Sequence, residues 1–288
     1  MKKTVFLLAM LVVSSLGIAQ NNEAESNLTL ITSGDMEMKT DSTSQGGIIT
    51  FRSFWVSNEI TNKEFREFLN YAKQHPEEKL EWVDLKLESG NYNIETKKFD
   101  GSTLNDKKVN IQYCLYKEII ENEIDTLALA KEYPLNSKNY KKFQNYISEK
   151  IFDDYPVVGV SYKGAQYYCV WRTKMENEKL ESEGKKINMS YRLPTEAEWL
   201  YAHKCSSEKL NQAELNNSSI ISNIGSNEVL YFNGNVSEWV SSNSSKSEIH
   251  FTLGSSWKNQ EIKNEKKVVD KNIKTGDIGF RVVRDTNF

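Results

Sequence analysis

The chain has 288 residues, 37 Lys and Arg against 40 Asp and Glu, a formal net charge of −3, and 38% hydrophobic residues. That length supports one large domain with a sizeable core, and the mixed-sign, mildly acidic balance gives no sign of a nucleic-acid-binding stripe, so no nucleic-acid partner is expected. Its three cysteines, Cys114, Cys169 and Cys205, show neither zinc-site spacing nor a CxxC pair. One disulfide with a thiol left over, or buried free thiols, are both open readings in an oxidising compartment.

In chain order, Met1, Lys2 and Lys3 precede an apolar run over 5–13 and small residues ending at Ala19. Two charges, a short greasy stretch and a small-x-small ending predict a secretory signal peptide over 1–19. The run is shorter than the roughly 20 apolar residues of a spanning helix. No cysteine precedes Cys114, so lipid attachment at a new amino terminus has no acceptor. The expected mature protein is periplasmic or secreted, with no membrane anchor after signal cleavage. Residues 20–27 read as a flexible polar lead-in.

Residues 28–31 and 48–56 are β-prone and flank a Gly34-Asp35 turn, which predicts a strand pair. Thr61 and Glu64 form a capping box. Phe65, Phe68, Leu69 and Ala72 then recur at helical spacing, so a helix is expected over 62–74. From about 75 to 150 the chain is highly charged without a sustained period, which reads as an insertion with some helix near 141–150. Residues 155–160 (YPVVGV) predict a short buried strand, and Ser161 is placed to cap a helix carrying Ala165, Tyr168, Cys169 and Arg172 along one side. Thr195 and Glu198 form a second capping box before Trp199 and Ala202. Strand-like pieces follow at 249–253 and 278–283. Helices interleaved with short strands and long irregular segments predict an α+β fold.

Glu59, Arg192 and Glu196 are expected to form ion pairs that pin helix starts, since a guanidinium grips a carboxylate at two points. Trp171, Trp199, Trp239 and Trp257 supply the large apolar anchors that a loop-rich domain needs.

Five segments in one order carry a resemblance: 54–65 (FWVSNEITNKEF), 155–171 (YPVVGVSYKGAQYYCVW), 191–199 (YRLPTEAEW), 234–239 (GNVSEW), and 254–257 with 279–283 (GSSW, GFRVV). Together they resemble the formylglycine-generating-enzyme superfamily, also called the sulfatase-modifying-factor domain. The resemblance spans 28–285 and implies an irregular, loop-rich α+β domain with a C-type-lectin-like core.

Active members of that family resemble one another in a cysteine pair just after the Gly-Gly-Ser-Trp segment, which binds copper and activates oxygen. Thiolates suit Cu(I) because both are soft. Here the matching stretch runs Leu253, Gly254, Ser255, Ser256, Trp257, Lys258, Asn259, Gln260, and no cysteine follows Cys205. His75, His203 and His250 lack helical ligand spacing, which disfavours the iron-dependent branch. The resemblance also implies a structural calcium ion on the carbonyls of Gly234 and Val236 and the carboxylate of Glu238, with a side chain three residues before the glycine. That last position is Tyr231, a poor ligand for a hard cation, with Asn233 or Asn235 as substitutes. Glu238 has a second reading, as an ion-paired framework residue.

Residues 152–160 and 171–173 most resemble the gliding-motility and type IX secretion lipoproteins of Bacteroidetes, which are similar in lacking the copper cysteines. The chain departs from them in having no lipidation cysteine. The resemblance implies a noncatalytic exported interaction or scaffold protein with protein partners in the cell envelope. The alternatives are a formylglycine-type oxidase or other oxygen-dependent protein modifier, and a lectin-like binder whose variable loops carry function.

Overall fold

Alternation along short strands sets where the core lies. The computed structural model describes residues 28–38, 47–84, 91–93, 98–100, 110–185, 190–209, 232, 234–241, 250–259 and 266–286. The expected signal peptide and lead-in lie outside them. The first sheet joins β1 (Leu28–Ile31), β4 (Phe54–Glu59), β14 (Arg281–Asp285) and β9 (Tyr191–Arg192) in that order, antiparallel throughout. Successive side chains point to opposite faces. Ile31, Phe54, Val56 and Val283 therefore enter one apolar cluster, while Leu28, Trp55, Tyr191 and Val282 enter or pack against a larger one. The sheet is the partition between two cores.

The 28–56 region differs from the expected single strand pair. β1 pairs with β4, whereas β2 (Gly34–Met38) pairs with β3 (Gly47–Phe51) as a separate ladder. The expected 48–56 strand breaks at Arg52 and Ser53. Gly34 is not a turn residue: a Cβ there would stand 2.3 Å from the Tyr201 hydroxyl oxygen. Glycine in this strand accommodates close approach of another side chain.

Helix α1 (Asn62–Gln74) forms with both halves of the Thr61/Glu64 capping box and buries Phe65, Phe68, Leu69 and Ala72. The intervening segment supplies β5 (Lys79–Asp84), the small ladder of β6 (Asn91–Asn93) with β7 (Lys98–Asp100), β8 (Asn110–Leu115), α2 (Tyr116–Glu123) and α3 (Lys138–Phe143). Tyr116, Ile119, Leu129, Phe143 and Tyr146 from this segment share a cluster with Phe65, Phe68 and Trp171. Helix α3 starts earlier than the expected 141–150 because the Ser137 hydroxyl accepts from the Tyr140 N–H at 3.1 Å and fixes its first turn.

Residues 156–160 are buried and Tyr155 partly so, but the segment forms no strand. Their backbone groups are satisfied singly: Val157 N–H donates to Ile60 O, Asp125 N–H to Gly159 O, and Gly159 N–H to Thr275 O. Gly159 has φ +76°, and a Cβ on it would lie 2.3 Å from Asp125 O, so only glycine fits this crossing.

Helix α4 (Tyr162–Ser182) is capped by the Ser161 hydroxyl, which accepts from the Gly164 N–H at 3.0 Å. Helix α5 (Glu196–Lys209) follows. The second sheet has the order β12 (Lys267–Val269), β11 (His250–Leu253), β10 (Ser237–Val240), β13 (Ile278–Gly279). The fold is α+β and loop-rich, as the sequence predicts. No helix among the described residues is long and apolar enough to cross a membrane.

Candidate functional site: a buried carboxylate pair and the loop beyond Trp257

β10 pairs in parallel with β13, and β14 follows one residue later, so Glu238 and Arg281 meet beneath the first sheet. Both are buried, at 1% and 0% exposure. Arg281 Nε donates to Glu238 Oε2 and Nη2 to Oε1, a two-point grip. Trp199 Nε1 adds a hydrogen bond to Glu238 Oε2 at 2.7 Å. Arg281 Nη1 reaches Ser57 O at 3.0 Å, and its guanidinium lies over the Phe232 ring.

Glu59, at the end of β4, adds a second carboxylate to this cluster. Its Oε2 accepts from Asn235 Nδ2 at 2.7 Å. Burial, and then the neighbouring Glu238 carboxylate, push its pKa up to about 8; Arg281, Asn235 and the Val236 N–H pull the other way. Burial and the neighbouring carboxylate thus favour the protonated form of Glu59.

The residues expected to hold calcium sit around this cluster. Gly234 and Asn235 have φ +88° and +57°, which makes the tight turn into β10. Val236 is buried in the larger core. Tyr231 and Asn233 lie outside the described residues. A divalent cation on Glu238 would face the guanidinium that grips both carboxylate oxygens, and Asn235 is turned to Glu59. The contacts that Glu238 makes here are those of the ion-paired framework reading.

The segment just after Trp257 has its own set of bonds. Gly254, at φ +81°, leaves room for the Trp199 ring: a Cβ would stand 3.2 Å from Cζ2. Ser255 and Ser256 are buried. Ser256 Oγ donates to Asp277 Oδ2 at 3.2 Å, and Trp257 Nε1 to Gly276 O at 2.8 Å. Lys258 Nζ lies 2.5 Å from Glu132 Oε2 and 3.2 Å from Asp277 Oδ1. Trp257 stacks on Tyr133 with centroids 6.0 Å apart. The Gly276 N–H donates to Glu132 Oε1 at 3.0 Å. The 129–133 turn is thus fastened over the 256–258 and 276–277 loops.

Sequence reasoning missed Arg281, Lys258, Glu132 and Asp277. The GFRVV and GSSW motifs contain or adjoin two of them, but a spacing of 43 residues between Glu238 and Arg281 gives no local signal. The expected helix-pinning pairs are also redrawn. Arg192 grips Glu198, with both bonds at 2.7 Å, and reaches Asp285. Glu196 pairs with Lys266 instead, because a helix start turns its third residue, not its first, back toward the cap.

The three thiols are free and lie on β8, α4 and α5. Burial pushes the Cys169 thiol up to about 12 and raises Cys114 as well, so neither is poised as a thiolate. His75, His203 and His250 stack on Tyr71, Trp199 and Tyr162 respectively. Among the described residues, no group of three His, Cys, Asp or Glu side chains could hold a metal ion.

The chain is a loop-rich α+β domain with a buried Glu-Arg-Trp cluster beside the turn into β10. Residues 15–228 match the sulfatase-modifying factor enzyme 1-like domain family, and the chain belongs to that family. Among solved structures it is similar to CarF, with a TM-score of 0.49, 17% identity, and coverage of 91% of this chain and 98% of that one. It is also similar to PvdO from Pseudomonas aeruginosa, with a TM-score of 0.46, 16% identity, and coverage of 90% and 94%. For Treponema denticola variable protein 1 the values are 0.44, 14%, and 90% and 95%. No curated protein matches the chain.

Proposed function

We propose that this protein is a noncatalytic, exported interaction or scaffold member of its family, acting through protein partners in the cell envelope, in machinery of the gliding and type IX secretion kind. The observation that carries the reading is the donor set beyond Trp257. Lys258 is engaged by Glu132 and Asp277, the Asn259 N–H closes a turn on Ser256 O, and no sulfur follows Cys205 in the sequence. Soft Cu(I) chemistry needs thiolates, and an ammonium with two carboxylates offers none. The remaining thiols stand on separate elements. The same reading keeps Glu238 as the counter-ion of Arg281, with no calcium.

The experiment is metal analysis of the purified protein after dialysis against Cu(I) and Ca2+, paired with oxygen-uptake measurements on a cysteine-containing peptide. Neither metal is retained above the buffer level, and no oxygen is consumed. Stoichiometric copper together with peptide-dependent oxygen uptake, persisting when Cys114, Cys169 and Cys205 are all replaced by serine, overturns the reading. Crosslinking in the native envelope then identifies the partners.

A further inference from the structure

Residues 134–152 combine two features that the core does not use. Leu135 and Ile151 are 73% and 75% exposed. Between them the chain carries Lys138, Lys141, Lys142 and Lys150 against Glu149 alone, in a protein whose net charge is −3. All four lysines are exposed, and among the described residues none is in an ion pair. By contrast, the exposed Ile48 sits across its ladder from Glu37.

The tips share a base. Phe143 is in ring contact with Tyr133, two residues before Leu135, and with Phe152, next to Ile151, at centroid distances of 5.5 and 5.8 Å. Leu135 stands in a tight turn, followed by Asn136 at φ 65°. Ile151 stands in the 3-10 turn Lys150–Phe152. Asp153 is paired with Arg66, and four lysines outnumber the carboxylate of Glu149 within the segment. Asp154, just beyond the segment, is also exposed.

We propose that the 134–151 face is a contact surface for an anionic lipid membrane, with Leu135 and Ile151 as apolar tips and Lys138, Lys141, Lys142 and Lys150 as headgroup contacts. Charge complementarity selects an anionic occupant. Separate tips on separate turns select a bilayer over a protein. A specific protein interface wants a continuous patch with aromatic anchors, and here Phe143, Tyr146 and Phe152 are consumed beneath the face. A headgroup layer accepts apolar tips one at a time, while lysine stems bend their charges toward phosphate. This inference is independent of whether the protein is catalytic.

The test is cosedimentation of the whole protein with phosphatidylcholine vesicles, with and without phosphatidylglycerol, across a salt series. Binding is expected only to the anionic vesicles. It is expected to be lost as sodium chloride rises from ~0.05 to ~0.5 M, where screening shortens to a few ångströms. Replacing all four lysines by glutamine weakens binding by about 600-fold, at about fivefold per charge. Leu135→Ser with Ile151→Ser weakens it about tenfold at low salt. The substituted positions are exposed, and unchanged melting temperatures verify folding; if a variant does not fold, the salt and lipid series on the native chain decides. Equal affinity of the native chain and the four-lysine variant, or no binding to anionic vesicles at low salt, overturns the proposal. Retention on polyglutamate without vesicle binding assigns the lysines to an acidic protein and overturns it equally.

Discussion

Glu59 shows how one side chain can make stability depend on pH. Its carboxyl is raised from 4.5 to about 8, first by burial and then by Glu238, so the folded state binds a proton that the unfolded chain releases. For a raised carboxyl the sign is fixed: stability is fully present below about pH 4.5 and is lost as pH climbs through 8. The amide of Glu59→Gln keeps an acceptor for Asn235 Nδ2 and the Val236 N–H but has no proton to lose. Native and substituted proteins should match in stability near pH 5, and the variant should gain ~2 kcal/mol or more on the native chain by pH 9. Denaturant melts at four or five pH values measure this. A difference that stays constant across that range rules the protonated-Glu59 account out.

At the scale of elements, caps were legible and partners were not. Thr61 with Glu64, Ser161, and Thr195 with Glu198 all cap their helices as the sequence predicts, because a cap is settled within four residues. The pairing of Arg192 with Glu198 rather than Glu196 follows from helix geometry once the cap is fixed. It joins the start of α5 to Asp285 at the end of β14. Burial alone would raise the Glu198 carboxyl, yet the Arg192 and Thr195 hydrogen bonds outweigh it and hold it below its ordinary value. Glu198→Ala removes the carboxylate half of the capping box and leaves Arg192 with Asp285 as its partner, so it should cost ~2 kcal/mol after allowing for the partial exposure of Arg192. Glu196→Ala, which only breaks a surface pair with Lys266, should cost less than ~1 kcal/mol. Thermal melts of the two variants check the order, and equal losses would contradict it.

For the whole molecule, the question is whether the 75–150 segment folds with the rest. Its charge and lack of a sustained period hide it in the sequence, since its core residues, among them Leu80, Tyr116, Ile119, Leu129 and Phe143, sit in short runs separated by charged stretches. Their common destination is set by long-range packing, which no local pattern encodes. In the folded chain they meet Phe65, Phe68, Tyr168 and Trp171 in one cluster, and Lys258 and Trp257 fasten the 129–133 turn to the C-terminal loops. A segment so bonded is part of one cooperative unit. Ile119, fully buried on α2, tests this from inside the segment. Ile119→Ala should cost ~2–5 kcal/mol. Hydrogen exchange reads where that loss falls: the slowest amides of α1, α4 and β14 should lose the same free energy as those of α2. If the segment were an appended unit, α2 would lose protection while α4 and β14 kept theirs, and the contacts of Glu132 with Lys258 would then be docking contacts rather than core structure.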